Sequence, residues 1–274
     1  MATPTLYLVA TPIGNLRDIT LRALEVLGKV SLIAAEDTRT TRNLLTAHGL
    51  RNRTTSFHQH NWRKKLPLVL EHLRSGDVAL VSEAGTPAIS DPGYELVAAA
   101  IENGIPVVPV PGPSALLAAL VVSGLPLRQF HYLGYLPPRT AQRRQALAQV
   151  ASEHATLVLF EAPHRVRETL EDVLAVLGNR RLAIARELTK LHEEVFRGTV
   201  AEAIAHFQEP RGEFTVVVEG AGEVQPPSPP SASLESELRR CRELGLTARQ
   251  ATALVSQKLG IPKRAVYRAW IQLR

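Results

Sequence analysis

Apolar and polar residues alternate along the chain in two periods. Short apolar runs, typical of buried strands, are separated by longer segments in which apolar residues recur at helical spacing. In the first part of the chain this pattern predicts strands over residues 5–11, 30–35, 78–82 and 107–110, and helices over residues 21–28, 62–75, 94–103 and 114–123. Regular alternation of strands and helices favours an α/β fold with a sheet rich in parallel strands.

A second series of elements begins at Phe130 and contains more strands for each helix. The pattern predicts strands over residues 130–135, 156–160, 181–186, 194–198 and 214–219, and helices over residues 141–152 and 166–177. Because few helices are left to connect these strands in parallel, we expect a mixed second sheet. Residues 223–233 are rich in proline and serine, which is typical of an extended linker.

Beyond the linker the pattern becomes purely helical. Thr247 can cap a helix that ends at Gly260, and Ile261 and Pro262 can start a second helix. The two helices resemble a helix-turn-helix, and a helical hairpin packed on the main body fits about as well. We therefore predict an N-terminal α/β domain, a C-terminal α/β domain, a linker and a small helical domain, at residues 1–113, 114–222, 223–233 and 234–274.

The distribution of charge adds a hypothesis about partners. The net charge of the 274-residue chain is +6, and residues 234–274, with nine Lys or Arg and three Glu, carry the whole excess. A basic end on a neutral body is typical of a protein with a phosphate-rich partner, although a solvated basic tail gives the same count. Lys263, Arg264 and Arg268, on the exposed side of the second predicted helix, are the candidates for phosphate contacts.

Composition also excludes several classes of protein. The single cysteine, Cys241, cannot form a disulfide framework or a cysteine-ligated zinc site within one chain. The isolated His164 and His192 show no metal-ligand spacing, so we expect no metal. The longest apolar run, residues 116–122, is too short to span a bilayer. We therefore expect a soluble, cytoplasmic protein that does not associate with membranes.

The loops that follow predicted strands are the most informative segments, because ligands of open α/β sheets bind beyond the carboxyl ends of strands. Residues 82–93, SEAGTPAISDPG, and residues 110–120, VPGPSALLAAL, combine glycine for close backbone approach with proline for stiffness, which favours a preformed pocket. Residues 10–20, ATPIGNLRDIT, share this character, but an ordinary strand-to-helix turn explains them better. We interpret Asp91 as a helix cap.

Charged residues directly follow two strands of the second part, in FEAPHR at residues 160–165 and ARELTKLHEE at residues 185–194. Buried charges need partners, so these segments indicate either a catalytic site or an ion-paired structural cluster. Sequence alone leaves both interpretations open.

Six ordered motifs resemble the tetrapyrrole-methylase class of S-adenosylmethionine-dependent methyltransferases, over residues 5–222: TPIGNLRDIT, AEDTRTTRNLL, EAGTPAISDPG, PGPSA, FEAPHR and ARELTKLHEE. Within that class they are similar to members that act on small-subunit ribosomal RNA. The resemblance implies a two-domain fold with S-adenosyl-L-methionine in the interdomain cleft, and a homodimer. It also implies 2′-O-methylation of a cytidine ribose in the decoding region of 16S rRNA, within the small ribosomal subunit.

The same resemblance implies a set of cofactor-binding residues. Tetrapyrrole-modifying members carry Gly-Asp-Pro where this chain has Gly85, Thr86 and Pro87. The polar contact of the missing aspartate would then come from the Thr86 hydroxyl or the backbone. On this matching the residues expected to line the cofactor are Ile13, Gly85, Thr86, Pro87, Ile89, Ser114, Ala115 and Phe160, together with Ala185 and Glu213 from the later strand-end motifs.

Methyl transfer to a ribose hydroxyl is an in-line displacement, which depends mainly on alignment. Alignment can supply about 7–11 kcal/mol, whereas a general base adds a factor of about 10²–10⁴. The candidate bases are Glu83 and Lys190, with Glu187 behind them, and each of the three would also suit an ion pair.

Candidates for binding single-stranded RNA in the first domain are cations and polar rings near its loops, namely Arg39, Arg42, His58 and Asn61. Asn61 could instead cap the helix that follows it. Two other functions compete with RNA methylation: C-methylation of a tetrapyrrole by the same fold, and a non-enzymatic DNA-binding regulator that uses the terminal helices. The missing aspartate and the basic end argue against the first, and the loop-rich body argues against the second.

Overall fold

The structure is a computed structural model that describes residues 3–89, 93–222 and 231–272. The chain forms two compact units, Met1–Gly220 and Ala221–Arg274. Within the described residues, none of the helices combines the length and apolar character that crossing a membrane requires.

The first half of the larger unit is a parallel sheet covered by helices on both faces. The strand order is β3-β2-β4-β1-β5, and every pairing is parallel. Its elements in chain order are β1 Leu6–Val9, α1 Leu21–Lys29, β2 Leu32–Ala35, α2 Thr38–Ala47, β3 Thr54–Ser56, α3 Trp62–His72, β4 Val78–Val81, α4 Tyr94–Glu102 and β5 Val107–Val110. This confirms the predicted parallel-rich first sheet.

Alternate residues of the strands face two separate cores. In β2, Ile33 packs into the core that α1 and α2 cover, whereas Leu32 and Ala34 pack into the core on the opposite face. Side chains of a strand point to opposite faces in turn, so a strand buried on both faces is apolar throughout. This explains why β2 and β4 are continuous apolar runs in the sequence.

Several boundaries in this half differ from the predictions. The helix α2 and the strand β3 were not predicted, because threonines of low helix propensity fill the first turns of α2 and β3 is a three-residue edge strand. Asp37 caps α2 by accepting hydrogen bonds from the backbone N–H groups of Arg39 and Thr40. Gly93 occupies the N-cap position of α4, and Asp91, which we predicted as a cap, lies outside the described residues.

The second half of the larger unit is a mixed sheet, as predicted. The strand order is β6-β7-β10-β8-β9, in which β6 and β7 are parallel and the other pairings are antiparallel. Its elements are α5 Ala115–Ser123, β6 Phe130–Tyr135, α6 Thr140–Gln149, β7 Thr156–Glu161, α7 Pro163–Leu177, β8 Arg181–Arg186, β9 Glu194–Thr199, α8 Val200–His206 and β10 Phe214–Val218. The helix α5 packs on this sheet through Leu116 and Leu120.

A buried ion pair joins the helices α6 and α7. The Arg143 side chain is 1% exposed and donates to the Asp172 carboxylate, itself 3% exposed, at 2.6 Å. Arg144 donates to the other oxygen of the same carboxylate at 2.6 Å. Glu168, 66% exposed, lies 3.6 Å from the Arg143 guanidinium. Asp172 is therefore the one buried acid that offsets the buried charge of Arg143 among the described residues.

The smaller unit contains three helices around a core of its own. The helices are α9 Ser231–Glu243, α10 Ala248–Leu259 and α11 Lys263–Gln272. As predicted, Thr247 caps α10, in a capping box with Gln250, and α10 ends at the left-handed Gly260. The helix α9 was not predicted. It begins inside the segment 223–233 that we predicted as an extended linker, of which residues 223–230 lie outside the described residues.

Removing the buried carboxylate should destabilise the larger unit far more than removing the exposed one. Asp172→Asn leaves the Arg143 charge buried without an anion, and we expect it to lower the free energy of unfolding by about 3–5 kcal/mol. Glu168→Gln removes the exposed partner and should cost less than about 1 kcal/mol. Urea denaturation of both variants measures the difference, and equal losses would contradict the assignment.

Candidate active site in the cleft between the two sheets

The larger unit contains a cavity of about 590 Å³ between its two halves. From the first half it is lined by the loops that leave the carboxyl ends of β1, β4 and β5, and from the second half by residues at the ends of β6 and β7 and by the loop after β8. Known small-molecule sites occupy roughly 300–1,000 Å³ and often lie where strands end. The cavity therefore has the size and position of a ligand site.

Most of the residues predicted to bind a cofactor line this cleft. They are Ile13, Gly85, Thr86, Ile89, Ser114, Ala115, Phe160, Ala185 and Glu213, and the candidate bases Glu83 and Lys190 line it with them. Pro87 is an exception, because its ring is buried and it is not among the lining residues. The candidate base Glu187 is also absent from the lining and contacts the cleft through Lys190 and Glu213, which do line it.

The loop after β1 and the loop after β4 are hydrogen-bonded to each other at the cleft. The backbone N–H of Thr11 donates to the Gly85 carbonyl at 2.9 Å, and the N–H of Gly85 donates back at 3.0 Å. Gly85 has φ +80°, which favours glycine, and a Cβ there would lie 3.4 Å from Ile13 Cγ2. Because its polar backbone groups are already bonded, Gly85 forms a wall of the cleft rather than a donor to a ligand.

Thr86 and the start of α5 supply polar groups on the same side. The Thr86 hydroxyl donates to the Pro113 carbonyl at 3.3 Å, so it can offer a ligand only its lone pairs as acceptor. Ser114 caps α5 by accepting from the N–H of Leu117. The first amides of the helix, at Ala115 and Leu116, have no intrahelical partner and belong to residues that line the cleft.

A group of carboxylates lies at the carboxyl ends of β2 and β4. The Glu83 backbone N–H donates to the Glu36 carboxylate at 3.0 Å, which brings the two acids together. Partial burial, followed by the charges of Asp37, Glu36 and Glu213, raises the pKa of Glu83 above its ordinary value. By contrast, the hydrogen bond from the Arg39 guanidinium lowers the pKa of Asp37 to about 2.

Lys190 is held between two carboxylates. Its ammonium nitrogen lies 2.9 Å from Glu187 Oε1 and 2.9 Å from Glu213 Oε2. Partial burial would lower the pKa of Lys190, but the two carboxylates outweigh it and raise that pKa. A lysine base must be neutral. The two carboxylates stabilise the protonated ammonium form of Lys190, which argues against Lys190 as the base.

Glu187 is also a poor candidate for the base. Burial would raise its pKa, but hydrogen bonds from the Lys190 ammonium and the Glu213 backbone N–H hold that pKa below its ordinary value. Of the three predicted bases, only Glu83 has a carboxylate whose proton affinity its surroundings increase.

The loop after β8 has an unusual backbone. Glu187 and Thr189 have φ values of +51° and +66°, a region that a β-branched residue such as threonine rarely adopts. The backbone N–H of Asn15 donates to the Thr189 hydroxyl at 3.1 Å, across the cleft. A Cβ at Gly14 would overlap Lys190, so glycine lets the two loops meet. Such conformations persist where the surroundings enforce them, often at functional sites.

The predicted RNA-binding residues of the first domain differ in availability. Arg39, 85% exposed, lies close enough to Glu83 for their charges to interact, and Arg42 is exposed on the same helix. His58 follows β3 and Glu36 follows β2, so both lie at the carboxyl ends of the parallel strands. RNA binding by Asn61 stays a prediction, and its side chain makes hydrogen bonds within the turn before α3.

The side-chain oxygen of Asn61 accepts from the His58 backbone N–H at 2.9 Å, and its amide donates to the Ser56 hydroxyl at 3.0 Å. Asn61 occupies the N-cap position of α3, as predicted, but its side chain makes no capping hydrogen bond to the helix.

Five polar residues of the cleft were not among the predicted site residues: Thr40 and Thr215, and the strand-end residues Glu36, Tyr135 and Glu161. Each of the last three lies at the carboxyl end of a strand, and that position alone could have indicated them. The Glu161 carboxylate is buried and accepts from the Thr169 hydroxyl at 2.6 Å, which supports the end of β7. In the part of the chain that the structure describes, no group of His, Cys, Asp and Glu side chains is arranged to hold a metal.

Comparison with protein families identifies the chain. The model of the tetrapyrrole (corrin/porphyrin) methylases matches residues 5–204. Relatives named ribosomal RNA small subunit methyltransferase I include one from Halalkalibacterium halodurans, 46% identical over 98% of this chain and 95% of the relative. One from Synechocystis is 47% identical over 98% of both chains. A shorter one, from Thermotoga maritima, is 50% identical over 218 residues, which are 78% of this chain and 98% of the relative.

Solved structures show the same fold. Uroporphyrin III C-methyl transferase from Thermus thermophilus has a TM-score of 0.57 at 21% identity, over 78% of this chain and 97% of that one. Cobalt precorrin-4 methyltransferase has a TM-score of 0.60 at 16% identity, over 78% and 94%. The motifs, the two sheets, the cleft between them and these matches agree: the chain belongs to the tetrapyrrole methylase family, in the branch formed by the ribosomal RNA small subunit methyltransferase I proteins.

Proposed function

We propose that the protein transfers a methyl group from S-adenosyl-L-methionine to the 2′-hydroxyl of a cytidine in the decoding region of 16S rRNA. The observation that carries this proposal is the near full-length identity to relatives named ribosomal RNA small subunit methyltransferase I. Its substrate is then the small ribosomal subunit, in the cytoplasm. Exposed apolar side chains on α5 and at the start of β6, among them Leu117, Val121 and Phe130, support a homodimer.

The cleft fits the proposed cofactor in size and in chemistry. Ile13, Ile89 and Phe160 offer apolar contacts for an adenine ring, and the first amides of α5 offer donors for a carboxylate. Glu36 and Glu83 provide the negative charge that suits a sulfonium. When bound there, S-adenosyl-L-methionine supplies an electrophilic methyl carbon, whose bond to sulfur breaks as the bond to the ribose oxygen forms.

The chain's own residues would orient the ribose and remove its proton. Glu83 accepts the proton of the 2′-hydroxyl, and the burial and neighbouring acids that raise its pKa strengthen it as a base. Arg39, exposed and close to Glu83, can hold an adjacent phosphate. Lys190, fixed by Glu187 and Glu213, keeps the opposite side of the cleft in place.

The activity is tested by incubating the purified protein with methyl-labelled S-adenosyl-L-methionine and three acceptors in parallel: small ribosomal subunits, protein-free 16S rRNA and a tetrapyrrole. We expect label in the subunits, and nuclease digestion with mass spectrometry should locate it on one ribose-methylated cytidine. Label in the tetrapyrrole alone, or on a base instead of a ribose, would overturn the proposal.

Glu83→Gln should abolish proton removal and leave cofactor binding nearly unchanged. We expect the single-turnover rate at neutral pH to fall by about 10²–10⁴, the usual contribution of a general base. In the wild type the rate should decrease as the pH drops through the raised pKa of Glu83, because the protonated carboxyl cannot act as a base. Single-turnover rates across pH, with calorimetry of cofactor binding, measure both effects.

The matched control is Glu36→Gln. It keeps an acceptor for the Glu83 N–H but removes a negative charge that raises the pKa of Glu83, so the acid decline of the rate should move to lower pH. An unchanged single-turnover rate in Glu83→Gln would exclude Glu83 as the base.

Thr86 can be tested by a pair of conservative variants. Thr86→Val removes the hydroxyl that bonds Pro113 and faces the cleft, and we expect the Kd of S-adenosyl-L-methionine to rise roughly 3- to 10-fold, equivalent to one hydrogen bond. Thr86→Ser keeps the hydroxyl and should change the Kd less than about 2-fold. Calorimetric titration distinguishes them, and equal Kd values for the two variants would show that the hydroxyl does not contribute.

A further inference from the structure

The smaller unit ends in a segment that carries positive charge only. Residues 244–274 contain six Lys or Arg and no Asp or Glu. The structure places α10, a three-residue turn at residues 260–262, and α11 in this segment. Two helices joined by a short turn that contains glycine have the arrangement of a helix-turn-helix.

The face of α11 opposite the core is basic. Val266 is buried in the core of the unit, with Ala269 and Trp270 packed against it. At 100° per residue, Arg264 and Arg268 lie on the other side of the helix, one turn apart, and both are exposed. Tyr267 and Ile271, 49% and 63% exposed, lie beside them. We name these four residues, together with the exposed Lys263 in the first turn of the helix, the α11 face.

Two other cations of the unit, Lys258 and Arg242, have structural partners, whereas those of the α11 face have no such partner among the described side chains. Lys258 pairs with Glu237 at 2.6 Å, and the Arg242 guanidinium lies over the Trp270 ring, 5.0 Å from its centroid. Lys263, Arg264 and Arg268 form no ion pair with any side chain that the structure describes. Their charges therefore remain available to an external anion.

We infer that the α11 face docks on the phosphate backbone of small-subunit ribosomal RNA and adds affinity, without taking part in methyl transfer. This inference rests on the proposed function, which makes RNA the phosphate-rich partner in preference to DNA. Phosphate contacts come mainly from Lys and Arg, and an exposed aromatic ring such as that of Tyr267 can stack on an unpaired base.

The shorter Thermotoga maritima relative supports a role separate from the chemistry. Its matched stretch of 218 residues is 98% of its length, close to the size of the larger unit alone. A relative of that size has no room for a second unit as well. The smaller unit is therefore separate from the chemistry of the cleft. A basic surface on it would contribute affinity for a phosphate-rich substrate.

The test uses the full chain with the double substitution Arg264→Gln/Arg268→Gln. We expect the KM for small ribosomal subunits to rise roughly 10-fold while kcat stays within about 2-fold, since only phosphate contacts are removed. The dependence of log affinity on log salt concentration should lose about one unit of slope for each phosphate contact removed. Cofactor binding, measured by calorimetry, should not change.

The matched control is Arg239→Gln/Arg240→Gln, which removes the same charge from exposed positions on α9. Its KM should stay within about 2-fold of the wild type. Equal losses in the two variants would show that only net charge matters, and an unchanged KM in the α11 variant would overturn the inference. Circular dichroism verifies that both variants remain folded.

The controls also separate this inference from the proposed function. If the wild type methylates none of the RNA acceptors, the proposed function fails. If it methylates them and the α11 variant is indistinguishable from it, only the docking surface fails. Tighter binding of the wild type to duplex DNA than to 16S rRNA, lost in the α11 variant, would replace RNA docking by DNA binding.

Discussion

The contact between the loop after β1 and the loop after β8 determines the rest of the site. Gly14, without a side chain, lies against Lys190, and the Asn15 N–H reaches the Thr189 hydroxyl. This contact joins the two halves of the larger unit across the cleft and holds Lys190 where Glu187 and Glu213 can bind it. The left-handed backbone at Glu187 and Thr189 is a local cost, of order 1–3 kcal/mol for each residue, that tertiary contacts must offset.

The cleft of the larger unit is lined by more acidic than basic residues, whereas the smaller unit carries an excess of positive charge. In the cleft, Lys190 pairs with Glu187 and Glu213, while Glu36 and Glu83 keep negative charge near the ends of β2 and β4. A negative pocket suits a sulfonium cofactor but repels the phosphates of a nucleic acid. In the proposed function, the exposed Arg39 at α2 and the α11 face of the smaller unit would supply the positive charge that a phosphate-rich substrate requires.

Sequence reasoning succeeded where the signal is local. Thr247 and Gly260 mark the ends of α10 because a cap and a left-handed residue are local requirements, and apolar periodicity located every strand of the two sheets except the short edge strand β3. It missed α2, whose threonines conceal the helical pattern, the short α8, and α9, which begins in the segment assigned to a linker. In α2, burial of Leu44 and Leu45 outweighs the low intrinsic propensity of the threonines.

Most residues of the site could be predicted from the sequence, but their protonation states could not. The resemblance to the tetrapyrrole methylases indicated Ile13, Gly85, Ile89 and Phe160, and all four line the cleft. The protonation states could not be read in the same way. Lys190 lies 23 residues from Glu213, and only the fold shows that their pairing makes Lys190 a cation. The turn that engages the Asn61 side chain is likewise invisible in the sequence.

The left-handed Thr189 also limits how this protein can be made more stable. Replacing a non-glycine residue at positive φ by glycine or asparagine is a standard way to relieve backbone strain. At this position the same replacement removes the hydroxyl that receives the Asn15 N–H, and with it a link between the two halves of the larger unit. At residue 189, relief of backbone strain and the hydrogen bond between the two halves therefore oppose each other. Thermostable variants are better sought in the helices far from this loop.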